Sequence, residues 1–115
     1  MSKINKNRYN EVVRIGIDTS KRHFQIHGVN AKEQVVIKKA VTRNKFVETI
    51  ALLPVCEIGI EACGASHHWA RTFEKMGHRV KLIPARAVKG YLYKNKNDAN
   101  DAAAICEAIS RPNIK

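Results

Sequence analysis

Apolar and polar positions alternate along three short segments in the first third of the chain, at residues 12–18, 24–29 and 34–41. Alternation with a period of two is typical of strands that bury one face. A turn at 19–22 separates the first two segments, and a polar loop at 30–32 separates the next two. Because tight connections favour antiparallel pairing of consecutive strands, the pattern predicts an antiparallel meander.

The pattern then changes to alternating helices and strands. Helical spacing occurs at 45–53, 66–75 and 98–109, and strand alternation at 56–61 and 79–83. The order βββαβαβα predicts an α/β domain with a mixed sheet and helices on the sheet faces. Since crossovers between parallel strands are right-handed, the first strand and the last two are expected to be parallel. This topology resembles the ribonuclease-H-like fold.

The length and charge of the chain limit its organisation and its partners. A chain of 115 residues suits one hydrophobic core, so we expect a flexible basic arm at 1–11, one domain at 12–110 and a tail at 111–115. A hydrophobic content of 44% and a charged content of 27% argue against disorder. The net charge of +11 predicts a polyanionic partner, nucleic acid before an anionic membrane surface.

The sequence also indicates the compartment. Its apolar runs are too short to cross a bilayer, and Glu11 and Arg14 interrupt the apolar stretch nearest the basic N-terminus. We therefore expect no membrane partner and a cytoplasmic location. The three cysteines, Cys56, Cys63 and Cys106, have no CxxC spacing, which favours small buried side chains over disulfides or zinc ligands.

Acidic residues mark a candidate site. The only aspartates of the chain are Asp18, Asp98 and Asp101. Asp18 ends a strand with the sequence RIGID, and Glu61 ends one with the matching sequence EIGIE, so each acid shares a face with the glycine two residues before it. Because glycine weakens a strand unless another backbone approaches closely, the pattern predicts an element packed tightly over this face.

The final predicted helix is the candidate for that element. Asp98 and Asp101 begin a helical stripe that Ile105 and Ile109 continue. Open α/β sheets carry their sites at the carboxyl ends of parallel strands, where the two strand acids fall. One pair of carboxylates 4 Å apart repels by roughly 4 kcal/mol, so four of them together favour a bound cation. All-oxygen ligation suits Mg²⁺ or Mn²⁺.

Each acid also has a structural interpretation that the sequence leaves open. Asp98 and Asp101 are suited to the positive N-terminal end of a helix. Asp18, followed by Thr19, is suited to an Asx turn. Glu61 fits a solvated strand end equally well.

Three motifs resemble those of a known family. IDTSK at 17–21, EACG at 61–64 and KNDANDA at 96–102 resemble the DEDD motif set of the insertion sequence 110 family of transposases. Gly77, Val80 and Pro84 fall where that family has a Gly-x-x-Val strand and a closing proline. The resemblance covers nearly the whole chain, with Cys63 and Asn97 each in place of a threonine.

The resemblance implies a domain similar to the Holliday-junction resolvase RuvC. The family members that this chain resembles are recombinases that act on DNA during transposition. The resemblance implies that Asp18, Glu61, Asp98 and Asp101 are the catalytic acids that bind magnesium. The resemblance also implies a guide RNA, assembly into homo-oligomers and a C-terminal domain with a serine nucleophile. That domain lies outside residues 1–115, so we expect weak or no activity from this chain alone.

Basic residues near the predicted site are candidates for nucleic-acid binding. A segment before the last helix mixes cations with tyrosines, at Arg86, Lys89, Tyr91, Lys94 and Lys96. This composition suits a nucleic-acid backbone with occasional base stacking, and a solvated loop is an equal alternative. Lys21 and Arg22, close to Asp18, are further candidates for phosphate contact.

Two other functions stay open at this point. In a non-enzymatic nucleic-acid-binding module, or an inactive transposase remnant, the acids would have structural roles only. A sugar-kinase or actin-like ATPase lobe is the second alternative, because residues 16–20 resemble the first phosphate loop of those proteins.

Overall fold

The computed structural model describes residues 6–19, 22–62, 64–84 and 98–110, with side chains at 8–19, 22–62, 64–84 and 102–110. A 3-10 helix spans Lys6–Glu11. The strands are β1 (Arg14–Asp18), β2 (Phe24–Val29), β3 (Val35–Val41), β4 (Glu57–Glu61) and β5 (Arg79–Ile83), and the α-helices are α1 (Arg43–Ala51), α2 (Ser66–Lys75) and α3 (Asp98–Ala108).

The strands form one mixed sheet in the order β3-β2-β1-β4-β5. β1, β2 and β3 pair antiparallel, which confirms the predicted meander. β4 pairs parallel with β1 and with β5, as the right-handed crossovers require. The element order and the mixed sheet confirm the ribonuclease-H-like α/β fold expected from the sequence.

One face of the sheet packs against α1 and α2. Isoleucines of the central strands, such as Ile17 and Ile60, point to this side and are fully buried. Phe46 of α1 contacts the rings of Trp69 and Phe73 of α2 edge to face, with ring centroids 5.0 and 5.3 Å away. Edge-to-face aromatic pairs of this kind add to the apolar burial, so this face holds the larger core.

The opposite face packs against α3. Ile105 and Ile109 form a second buried cluster with Ile83 of β5 and two alanines of the helix. Gly16 and Gly59 lie side by side in β1 and β4, directly beneath α3. The close packing predicted over the two glycines is therefore confirmed.

Some details differ from the sequence prediction. Lys6–Glu11, within the expected flexible arm at 1–11, forms a 3-10 helix, because Tyr9 packs against the core and its carbonyl accepts the Val12 N–H at 3.2 Å. Cys56 and Cys106 are buried and free, as expected, and Cys63 lies outside the described residues. The tail at 111–115 also lies outside them. Over the part of the chain that the structure describes, no helix is long and apolar enough to cross a membrane.

Candidate functional site

Asp18 and Glu61 end neighbouring parallel strands. The register pairs Gly16 with Gly59 and Ile17 with Ile60, so the next residue of each strand, the acid, lies at the same edge and on the same face. Asp18 is only 3% exposed, whereas Glu61 is half-buried. A carboxylate buried to this degree needs a cation or hydrogen bonds to stabilise its charge, which makes Asp18 the more constrained of the two acids.

The two glycines allow α3 to approach this face closely. A Cβ atom built on Gly16 would collide with the Ala102 carbonyl oxygen and the Cys106 backbone nitrogen, and would lie 2.8 Å from the Cys106 Cα. A Cβ atom on Gly59 would lie 2.5 Å from Cγ2 of Ile109. Because real Cβ atoms do not make contacts this short, α3 can lie this close to β1 and β4 only while both positions are glycine.

The direction of α3 follows from its contacts with β1. Its C-terminal half lies beside Arg14, whose Nε donates to the Cys106 carbonyl at 2.8 Å. Ala102, one turn earlier, lies over Gly16. Because the Cys106 carbonyl lies toward Arg14 and Ala102 toward the other side of Gly16, the N-terminal end of α3 is directed toward the carboxyl end of β1, where Asp18 lies.

The contacts of Arg14 and Gly16 therefore orient α3 so that its first turn, which contains Asp98 and Asp101 in the sequence, is directed toward the sheet edge where Asp18 and Glu61 end their strands. The side chains of Asp98 and Asp101 lie outside the described residues. Among the side chains that are described, no three His, Cys, Asp or Glu residues lie close enough to hold a metal ion. The four-acid site stays a prediction, with a backbone arrangement that suits it.

The candidate nucleic-acid-binding residues fall mostly outside the described residues. These are Lys21, Arg86, Lys89, Tyr91, Lys94 and Lys96. Arg22 is described and exposed, in the turn between β1 and β2. It lines a shallow surface pocket with His23, Thr42, Arg43 and Asn44.

The other end of β1 carries a buried cation. Arg14 forms a bidentate pair with Glu33, with nitrogen–oxygen distances of 2.6 and 3.0 Å. This hydrogen bonding raises the pKa of Arg14 and lowers that of Glu33. Strand pairing alone predicts an ion pair between Arg14 and Glu57, its neighbour across the sheet. That prediction is wrong, because Arg14 pairs with Glu33 and the Glu57 carboxylate lies 3.7 Å from the Lys81 ammonium.

His27 of β2 also lies on the sheet face that packs against α3, and the sequence analysis does not predict a role for it. It pairs with Gly16 across the sheet, and its Nδ1 is buried with no hydrogen-bond partner among the described residues. Burial, followed by the charges of Lys38 and Arg14, lowers the pKa of His27. The imidazole is therefore neutral near pH 7 and adds no positive charge to the acidic face. The alternation along β2, which puts His27 on the face of Gln25, was the available signal.

The fold and the acidic strand ends define a ribonuclease-H-like domain with a candidate carboxylate site. A transposase family model, that of the insertion sequence 110 DEDD transposases, matches residues 15–115. The chain belongs to this family.

Relatives with transposase names support the same conclusion. A Sinorhizobium fredii protein named as a transposase, y4pF/y4sB, is 50% identical over 91% of this chain and 27% of its own length. A Pseudomonas aeruginosa protein named as a family 20 transposase is 45% identical over 89% of this chain and 30% of its own. The Coxiella burnetii transposase for insertion sequence element IS1111A is 43% identical over 88% and 28%. The chain thus spans less than a third of the length of these relatives.

Proposed function

We propose that this chain is the metal-binding part of a transposase active site that acts on DNA phosphodiesters. In this proposal Asp18, Glu61, Asp98 and Asp101 hold divalent metal, Mg²⁺ or Mn²⁺. The observation that supports it is the alignment of β1 with β4 beneath α3, which directs two strand ends and the first turn of that helix to one edge of the sheet.

The donor set fits the proposed metal. Asp18 and Glu61 offer carboxylate oxygens, the ligands that Mg²⁺ and Mn²⁺ prefer. The neighbouring His27 is held neutral by its lowered pKa, so it does not compete for the carboxylates as a cation. Several carboxylates at one strand edge repel each other by roughly 4 kcal/mol per pair at 4 Å, and divalent metal would offset that repulsion.

The residues of the chain have distinct roles in this proposal. When bound, a pair of divalent ions polarises the phosphate and lowers the pKa of the attacking water or hydroxyl. Asp18 stands at the end of a fully buried strand, so its backbone is rigid. The helix with Asp98 and Asp101 is fixed against β1 by contact with Gly16 and by the Arg14 hydrogen bond. The net charge of +11 attracts the DNA polyanion.

A thermal-shift measurement with manganese tests the metal site. A ligand at tenfold excess over its Kd stabilises the native state by about 1.4 kcal/mol, which raises Tm by roughly 5 °C for a chain of this size. We expect this rise for the wild type and its loss in Asp98→Asn. Glu74→Gln, at an exposed position of α2, removes the same charge elsewhere and is expected to keep the rise.

Two results would contradict the proposal. One is an equal manganese response in the wild type and Asp98→Asn, and the other is no response in the wild type at millimolar manganese. Circular dichroism at low temperature shows whether the variant is folded, so loss of fold is not mistaken for loss of metal. DNA binding that depends steeply on salt and is unaffected by chelator would favour the non-enzymatic binding module instead.

A further inference from the structure

A group of basic residues lies at the same sheet edge as the acids but on the side of β2 and β3. We call Arg22, His23, Arg43 and Lys45 the basic rim. Arg22, His23 and Arg43 line a shallow pocket of about 260 Å³. His23 and Thr42 connect it to a second depression of about 520 Å³, which includes Lys45.

The position of the rim relative to Asp18 follows from the strand register. Asp18 pairs with Gln25 of β2, and Phe24 of β2 pairs with Val41 of β3, the strand that leads into α1. Two strand spacings, or about 10 Å along the sheet, separate β1 from β3. Arg43 lies on the sheet face that packs against α1 and α2, so the rim and Asp18 share an edge of the sheet but not a face.

No acidic side chain that the structure describes neutralises the arginines of the rim. The Arg43 guanidinium carbon lies over the Trp69 ring, 5.6 Å from its centroid, a cation–π contact that leaves the positive charge in place. Neither Arg22 nor Arg43 forms an ion pair or hydrogen bond with any residue that the structure describes. Within the described part of the chain, the Lys45 ammonium pairs only with Glu48, at 3.5 Å, and both side chains are exposed.

The position of these cations also opposes helix stability. The first turn of α1 contains no acidic residue and includes Arg43 and Lys45. Cations at a helix N-terminus are unfavourable, because the helix dipole is positive there. Cations kept at a position where they do not stabilise the helix are better explained by an anionic partner.

We propose that the basic rim binds the phosphate backbone of duplex DNA at the sheet edge that also carries the acidic site. The choice of DNA rests on the proposed function. The contact itself is electrostatic and needs no metal, so it is separable from metal binding by the four acids. The rim would hold the flanking duplex in register with the acids, without reading base sequence.

A salt titration with a double variant tests this surface. Binding of a fluorescent 20-base-pair duplex is measured between 50 and 200 mM salt in the presence of EDTA, for the wild type and for Arg22→Gln/Arg43→Gln. Each phosphate contact contributes about 0.9 to the slope of log K against log salt. Loss of two contacts lowers the slope by about 1.8 and weakens binding roughly sixtyfold at 0.1 M salt.

A matched control removes two cations from the other end of the sheet. Lys32 and Lys75 are exposed there, at the β2–β3 turn and the end of α2. Lys32→Gln/Lys75→Gln carries the same charge change, and we expect its affinity to stay within about twofold of the wild type.

The outcomes separate this inference from the proposed function. Equal affinities and slopes for the rim variant and the control would overturn the rim, as would the absence of wild-type binding at 50 mM salt. A greater loss on an RNA duplex of equal length than on DNA would overturn the assignment to DNA. If the rim variant loses DNA while manganese has no effect on wild-type Tm, the rim stands and the acidic metal site fails.

Discussion

Replacement of Gly16 by alanine is the sharpest test of how the candidate site is assembled. The added Cβ would meet backbone atoms of α3, namely the Ala102 carbonyl oxygen and the Cys106 nitrogen and Cα. Backbone atoms of a packed helix cannot rotate aside as a side chain does. The variant must therefore push α3 away from β1 or keep a severe overlap.

The loss of stability can be estimated from the typical cost of overpacking. Overpacking of a core costs about 1–3 kcal/mol, and more where backbone must move. Replacing glycine with alanine also lowers the conformational entropy of the unfolded chain, which offsets about 0.5–1 kcal/mol of that cost. We expect Gly16→Ala to lose roughly 2–4 kcal/mol. Gly59→Ala should lose about 1–2 kcal/mol, because its new Cβ meets the movable ends of Ile105 and Ile109.

Urea unfolding measures these differences, with Gly64→Ala as the control. No atom of the described residues lies within 4 Å of a Cβ built on Gly64, so its alanine variant should stay within about 0.5 kcal/mol of the wild type. Trp69, the one tryptophan of the chain, reports the larger core by fluorescence, and circular dichroism reports the three α-helices together. With a slope of about 1–3 kcal/mol per molar urea, Gly16→Ala should unfold roughly 1–2 M earlier. Equal midpoints for Gly16→Ala and Gly64→Ala would refute the close approach of α3.

Two further predictions concern stability away from the acids. Burial lowers the pKa of His78 below 6.5, and its Nδ1 accepts the Cys56 N–H at 3.2 Å. The stability that depends on neutral His78 is therefore complete above pH 6.5 and falls as pH drops through the folded pKa. Urea midpoints between pH 7.5 and 5.5 should vary less in His78→Asn than in the wild type. The variant His67→Gln, at an exposed histidine, is the control and should vary as the wild type does. Arg14→Met should lower the free energy of unfolding by about 1–3 kcal/mol in the same assay. Glu33→Gln, at a largely exposed carboxylate, should lower it by about 1 kcal/mol or less. Equal losses would contradict the interpretation that the buried guanidinium, and not the ion pair, accounts for most of the stability.

Much of the fold follows from periodicity in the sequence. The bounds predicted for β2, α2 and β5 agree with the structure. The first strand was predicted two residues too early, since Val12 is buried and Val13 already bonds Val29 before the β1 ladder begins. The start of α1 was predicted two residues too late, because its polar first turn has no apolar spacing to detect.

The partner of Arg14 could not be predicted in this way. Glu33 has a positive φ of 62° in a tight turn, where the Asn30 side-chain oxygen accepts the N–H groups of Lys32 and Gln34. Such a conformation depends on the whole turn, and alternation along a strand contains no signal for it. Glu57, adjacent in register, was the natural choice from strand pairing alone.

The position of α3 is the link between sequence and candidate function. In the C-terminal half of α3, the Cys106 carbonyl accepts a hydrogen bond from the buried Arg14 guanidinium. The first turn of α3 contains two aspartates, Asp98 and Asp101, in the sequence. Both charges suit the helix dipole, so electrostatics and the contact with Gly16 favour the same orientation of the helix on the sheet. A role for Asp98 at the helix N-terminus and a role in metal binding therefore do not exclude each other, because the helix orientation that the first favours also directs the first turn toward the end of β1. The two roles differ in the manganese response, which a helix cap alone would not produce.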